Sequence, residues 1–119
     1  MPIRVLLVDD NRVLRARLGA ALTMIDGITV IGSCADGDEA VWLVARSRPD
    51  AVVMDLSMPR MDGVEATRRI LADTPDTRVV IFTAAAAGQR TLDALAAGAA
   101  ACIFKDATID DLIAALRAE

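Results

Sequence analysis

Four positions in this 119-residue chain carry groups that could do chemistry together: the Asp9-Asp10 pair, Asp55, Thr83 and Lys105. Each follows or closes a short apolar run. Lys105 is the single lysine beside twelve arginines, and there is no histidine and no tyrosine. Histidine-based catalysis and histidine-ligated metal sites by this chain are therefore excluded. Carboxylates, hydroxyls, backbone groups and one ammonium remain. Each of the four also has an ordinary explanation. An Asp or Asn after a strand is commonly a helix cap, which suits Asp10 or Asn11. Thr83 alone is a strand residue, and Lys105 alone a solvated charge. Asp55 resists that treatment. The connection over residues 56–63 separates it from the next helix, and Asp62 is better placed to cap that helix.

The elements that must position these groups follow from apolar patterning. Runs at 3–8, 28–34, 51–54, 79–82 and 101–104 read as strands, mostly continuous and so buried on both faces of a parallel sheet. The second, interrupted by Gly32 and Ser33, suits an edge. Between the runs lie stripes at helical spacing: Leu14, Leu18, Ala21, Leu22 and Ile25; Ala40, Leu43 and Val44; Val64, Thr67, Ile70 and Leu71; Leu92, Leu95, Ala96 and Ala99; Ile109, Leu112, Ile113 and Leu116. Asp26-Gly27, Arg48-Pro49-Asp50 and residues 73–76 supply stops, while Asp62-x-x-Glu65 and Thr108-x-x-Asp111 supply starts. Strand–helix alternation with short connections predicts one α/β domain with right-handed crossovers and helices on both faces. The alanine run at 84–87 is too short to be a linker.

In such folds, sites form beyond the carboxyl ends of the strands. Strand two ends in Cys34-Ala35 and offers nothing comparable to the other four. With strands one and three adjacent, the three carboxylates crowd within ~5–6 Å, where each like-charge pair costs about 3 kcal/mol at an effective dielectric near 20. Such a cluster holds a proton or recruits a cation, and hard oxygen ligands suit Mg2+, which accepts a phosphate oxygen. Asp55 is then placed to attack phosphorus and form an acyl phosphate. Lys105 and the Thr83 hydroxyl are placed to bind the transferred oxygens.

Composition narrows the class. Apolar residues make up 55%, but 23 are Ala and aromatics are 3%, so the core is aliphatic. A net charge of -4 argues against a nucleic-acid-gripping surface. No apolar run is long enough for a membrane helix, and Met1-Pro2-Ile3-Arg4 lacks a signal-peptide layout, so a cytoplasmic location is expected. Cys34 and Cys102 read as small buried apolar residues.

Together, Val8-Asp9-Asp10-Asn11, Met54-Asp55-Leu56-Ser57-Met58-Pro59-Arg60-Met61-Asp62-Gly63, Phe82-Thr83-Ala84, and Gly98-Ala99 leading to Phe104-Lys105-Asp106 resemble the receiver domain of bacterial two-component response regulators. The resemblance spans nearly the whole chain and implies a flavodoxin-like (βα)5 sandwich with strand order 2-1-3-4-5. It implies that Asp55 is the phosphoacceptor, that Asp10 and Asp55 ligate Mg2+ or Mn2+ directly, that Asp9 does so through water, and that the Ser57 backbone carbonyl is a further ligand. Thr83 resembles the switch hydroxyl and Lys105 the phosphoryl counter-charge. Ala84 fits the small residue that leaves the pocket open. Ser57 and Ala85 lie where the family tunes acyl-phosphate lifetime. The implied partners are a sensor histidine kinase and small phosphodonors, with a homodimer through the first and last helices left open, and no membrane.

The chain departs from the family twice. Cys102 stands where many members carry the aromatic that turns inward, so either the thiol simply packs there or switching works through the fourth helix alone. Asp106, rather than Pro, follows Lys105, as in regulators with a LuxR/NarL-type helix-turn-helix output domain. That implies a DNA-binding half beyond Glu119, with DNA met only there, a stand-alone receiver being the alternative. The expected role is a signalling switch that catalyses its own aspartyl phosphorylation and dephosphorylation, and through it transcriptional control. A phosphorylation-independent interaction module is the alternative. A flavodoxin-like electron carrier is more remote, since Asp9-Asp10-Asn11 replaces a phosphate loop and Trp42 is the lone indole. Strands two and five at opposite edges lie ~19 Å apart, so Cys34 and Cys102 are not expected to pair.

Overall fold

Five parallel strands, β1 (Ile3–Val8), β2 (Ile28–Cys34), β3 (Ala51–Met54), β4 (Arg78–Thr83) and β5 (Ala101–Phe104), form one sheet in the order β2-β1-β3-β4-β5. The computed structural model describes residues 2–84 and 88–118. Helices α1 (Arg12–Thr23), α2 (Gly37–Ser47), α3 (Gly63–Asp73), α4 (Gly88–Ala96) and α5 (Ile109–Arg117) alternate with the strands. The continuous apolar runs are explained by burial on both sides. Leu6, Val8, Val52, Met54, Val79 and Ile81 join one core cluster, while Val5, Leu7, Ala51, Val53, Val80 and Phe82 join the other. Successive side chains thus alternate between two cores. Among the described residues, no helix is long and apolar enough to cross a membrane.

The edge strands differ as their positions require. At β2 the pairing register with β1 shifts between Val5 and Leu6, opposite the stretch leading into Gly32. β5, at the other edge, is half-buried along its length. Cys34 and Cys102 therefore lie on opposite edges, and both are free thiols. Cys34 is buried within one core cluster, whereas Cys102 is only partly buried and packs against that cluster from β5.

Several expectations need correction. The stripe placed Leu92, Leu95 and Ala96 on the buried face of α4, with Ala99 after it. Instead Thr91 and Ala94 face inward, while Leu92 and Leu95 are 59% and 43% exposed. Small residues there let the helix sit close to its neighbours. The turn that follows is also tight: Gly98 has φ +112°, and an added Cβ would lie 2.7 Å from Leu71 Cδ1. α1 ends at Thr23 rather than at Asp26, since the N–H groups of Met24 and Ile25 turn back to Ala21 and Leu22. Gly63 begins α3 rather than ending the connection.

Candidate functional site

Register brings the candidate residues together. Val8 pairs with Met54, Met54 with Ile81, and Thr83 with Phe104. Asp9, Asp55, Thr83 and Lys105 are therefore neighbours at the carboxyl ends of four adjacent strands. The backbone ladder continues one step past the strands. Asp55 N–H donates to the Val8 carbonyl at 2.9 Å, and Lys105 N–H to the Thr83 carbonyl at 2.8 Å. Asp9 N–H donates to the Cys34 carbonyl at 3.1 Å.

Asp9, Asp55 and Thr83 are buried, whereas Asp10 is exposed. Asn11 takes the N-cap of α1 by accepting from Leu14 N–H, which leaves the Asp10 carboxylate unengaged in capping. Lys105 Nζ lies 2.6 Å from Asp9 Oδ2 and 3.6 Å from Asp55 Oδ1. Asn11 N–H also donates to Asp9 Oδ1 at 2.8 Å, and Arg15 Nη1 to the Asp9 carbonyl at 2.6 Å. Asp55 is less well compensated. Burial, followed by the charge of Asp9, pushes its carboxyl above the ordinary range, and Lys105 only partly opposes this.

Asp9, Asp10 and Asp55 each offer an oxygen, and these oxygens lie within 4.8 Å of one another. That is close to the ~4.2 Å spanned by opposite ligands of an octahedral Mg2+. A crowded set of hard oxygens with one member facing solvent fits a small divalent cation that keeps part of its water.

The connection after Asp55 is held from three sides. Asp62 caps α3, accepting from Glu65 N–H at 3.0 Å. Gly63 lies so close to the Asp55 carbonyl oxygen that a Cβ there would collide with it. The third hold comes from just beyond strand two, whose end carries no group comparable to the other four but leads into a structural carboxylate. Asp36, just beyond it, is buried and accepts from the N–H groups of Arg60 at 2.9 Å and Met61 at 3.4 Å. Gly37 N–H donates to the Met61 carbonyl at 3.1 Å, and a Cβ on Gly37 would collide with that carbonyl. Burial alone would raise Asp36, but the hydrogen bonds from Arg60, Asp38 and Met61 hold its carboxyl down at about 2. The signal for this was the Asp36-Gly37 pair, which reads locally as nothing more than a helix start.

Arg90 was also missed. It reaches from α4 to Ser57 Oγ, at 3.0 Å, and to the Leu56 carbonyl. One arginine among twelve gives no sequence signal. Of the other expected positions, Ser57 and Ala84 are exposed near the strand ends, Cys102 Sγ lies 4.0 Å from the Thr91 carbonyl, and Ala85 lies outside the described residues. Trp42 is exposed on α2, with the Arg46 guanidinium 4.7 Å from its ring centre.

Comparison with known proteins gives a consistent answer. The family model for the response regulator receiver domain matches residues 5–117. The transcriptional regulatory protein LiaR of Bacillus subtilis is 36% identical over 116 residues, covering 98% of this chain and 55% of LiaR. A LuxR-family two-component response regulator from Aurantimonas sp. SI85-9A1 superposes with TM-score 0.89 at 34% identity, covering 95% of this chain and 81% of that one. The signal receiver domain of the putative response regulator NarL from Mycobacterium tuberculosis gives TM-score 0.90 at 27% identity, covering 99% and 98%. This chain spans about half the length of the curated relatives it matches.

Proposed function

This chain belongs to the response regulator receiver domain family, and from that membership we propose that it is a phosphoacceptor switch in which Asp55 takes a phosphoryl group from a histidine kinase or a small phosphodonor. The observation that carries the proposal is the joint placement of Asp9, Asp10, Asp55 and Lys105 at one mouth of the sheet. An Asp55 carboxylate oxygen attacks phosphorus, the phosphorus–nitrogen bond of a phosphohistidine breaks, and the imidazole leaves with the bonding pair and takes a proton from solvent. Asp10, Asp55 and the Ser57 carbonyl would hold Mg2+ or Mn2+, with Asp9 acting through water. When bound, that cation screens the carboxylates from the incoming group and neutralises charge on its oxygens. Lys105 places a compact ammonium beside the transferred group, and the Thr83 hydroxyl donates to one of its oxygens.

Phosphorylation alters the output or dimer surface, and an output domain of the helix-turn-helix kind continues the protein toward transcriptional control. The half-length match to relatives such as LiaR supports that organisation. Treatment with acetyl phosphate and Mg2+ tests the proposal. The wild-type chain should acquire one acid-stable, hydroxylamine-labile phosphate, and Asp55→Asn should acquire none. Equal labelling of both would dismiss Asp55 as the acceptor, whereas a wild-type chain that neither takes label nor binds beryllium fluoride with Mg2+ would favour the phosphorylation-independent module.

A further inference from the structure

Arg90 does more than decorate α4. Its Nη1 donates to Ser57 Oγ at 3.0 Å, and its Nη2 donates to the Leu56 carbonyl. The same Nη2 lies 3.6 Å from Asp62 Oδ2. Both ends of the connection between β3 and α3 are therefore tied to one guanidinium on a different helix. Asp62 is already committed to Glu65 N–H, and the Leu56 carbonyl to Gly63 N–H at 3.0 Å, so Arg90 closes contacts whose partners are otherwise fixed. A planar fork presents two rigidly spaced nitrogens to these contacts, a geometry that a compact ammonium does not pre-organise. The side chain is 47% exposed, so it is not a core residue. It lines a cleft of about 430 Å³ with Asp10, Ser57, Met58, Pro59 and Asp62.

We infer that Arg90 is a positioning residue for the cation site, acting through the peptide of Ser57. With the Leu56 carbonyl and the Ser57 side chain both held by Arg90, the backbone leading into the Ser57 carbonyl is restrained on its N-terminal side. The inference rests on the reading of that carbonyl as a ligand. It also supplies a link absent from the sequence pattern: cation binding and the placement of α4 are coupled, and by reciprocity each favours the other.

Charge and positioning predict opposite signs, which makes the test sharp. If Arg90 acted only as a nearby positive charge, removing it would tighten Mg2+ binding. If it positions the loop, removing it weakens binding, and Arg90→Lys weakens it further by keeping the repulsion and losing the fork. Calorimetric titration of the chain with MgCl2 should give affinity in the order wild type, then Arg90→Ala and Arg90→Gln, then Arg90→Lys. The neutral variants should lose about tenfold. In the metal-free chain, amide hydrogen exchange at residues 57–63 should quicken in the Arg90 variants but not in Asp10→Asn. Equal or tighter Mg2+ binding by the neutral variants, or unchanged exchange, overturns the inference while leaving the site intact. Failure of the wild type to bind Mg2+, or binding by Asp10→Asn equal to wild type, overturns the site reading and this inference with it.

Discussion

Asp55 is 5% exposed, and its carboxyl is pushed above the ordinary range first by burial and then by Asp9. The sign of the consequence follows from linkage. An unfolded Asp ionises near ~3.9, so as pH rises past that value the folded state is penalised relative to the unfolded one, and the penalty persists at pH 7. Asp55→Asn should therefore raise the melting temperature of the metal-free chain by about 3–5 °C, equivalent to roughly 1 kcal/mol. MgCl2 should reverse the ranking by stabilising the wild type more, and scanning calorimetry with and without the cation reads both effects. A lower melting point for metal-free Asp55→Asn would contradict this account. Lys105 carries a second expectation at the same scale. Its ammonium lies 2.6 Å from Asp9 and 3.6 Å from Asp55, a fit for a compact point charge rather than a fork. Lys105→Arg should retain the fold and the charge, yet slow labelling by acetyl phosphate by about tenfold or more. These residues were legible beforehand because their chemistry is unusual for their surroundings: one lysine in an arginine-using chain, and carboxylates ending apolar strands.

At the scale of elements, the connection between β3 and α3 behaves as a part assembled from its neighbours. Asp36 grips its middle through backbone N–H groups, and Gly63 lets α3 begin against the Asp55 carbonyl. Because Asp36 is held at about 2, below its unfolded value, its contribution is full above pH ~4 and lost as pH falls toward 2. Asp36→Asn should cost about 2 kcal/mol at pH 7 in urea unfolding, and the gap to wild type should close between pH ~4 and ~2. A gap that stays constant with pH would mean that the carboxylate charge contributes nothing. Gly63→Ala forces a Cβ into the Asp55 carbonyl oxygen and should cost about 1–3 kcal/mol while impairing labelling, read from the same unfolding and phosphodonor measurements. The strands and the capped helix starts were legible because two-sided burial and local capping leave marks in consecutive residues. Asp62 and Thr108 cap α3 and α5 at the positions their spacing indicates. The inward face of α4 was not legible. Its leucines form the better apolar stripe, but close helix approach selected Thr91 and Ala94, and that depends on neighbours distant in sequence. Asp36 and Arg90 escaped for the same reason, since each acts on backbone more than twenty residues away.

Across the whole molecule, the sheet separates two cores and sets the two thiols at opposite edges, which makes them a matched pair of probes. Cys34 is buried at the end of β2, and burial pushes its thiol up to about 12. Cys102 is also raised by burial, but it is less enclosed, and its Sγ lies 4.0 Å from the Thr91 carbonyl on α4. It stands three residues before Lys105, on the strand over which α4 packs. With no aromatic ring at that position to rotate, a shift of α4 against β5 changes the surroundings of this sulfur through its contact with the Thr91 carbonyl. Alkylation at pH 8 should therefore modify Cys102 at least about tenfold faster than Cys34, because reaction needs both access and the thiolate. Beryllium fluoride with Mg2+, a mimic of the phosphorylated state, should change the Cys102 rate and leave Cys34 unchanged. The Arg90→Ala variant should blunt that response, since it cuts the tie between α4 and the connection that follows Asp55. Peptide mass analysis after timed alkylation reads each thiol separately. An unchanged Cys102 rate in a chain that demonstrably binds the mimic would mean that α4 does not move relative to β5, and that the site communicates through another face of the domain.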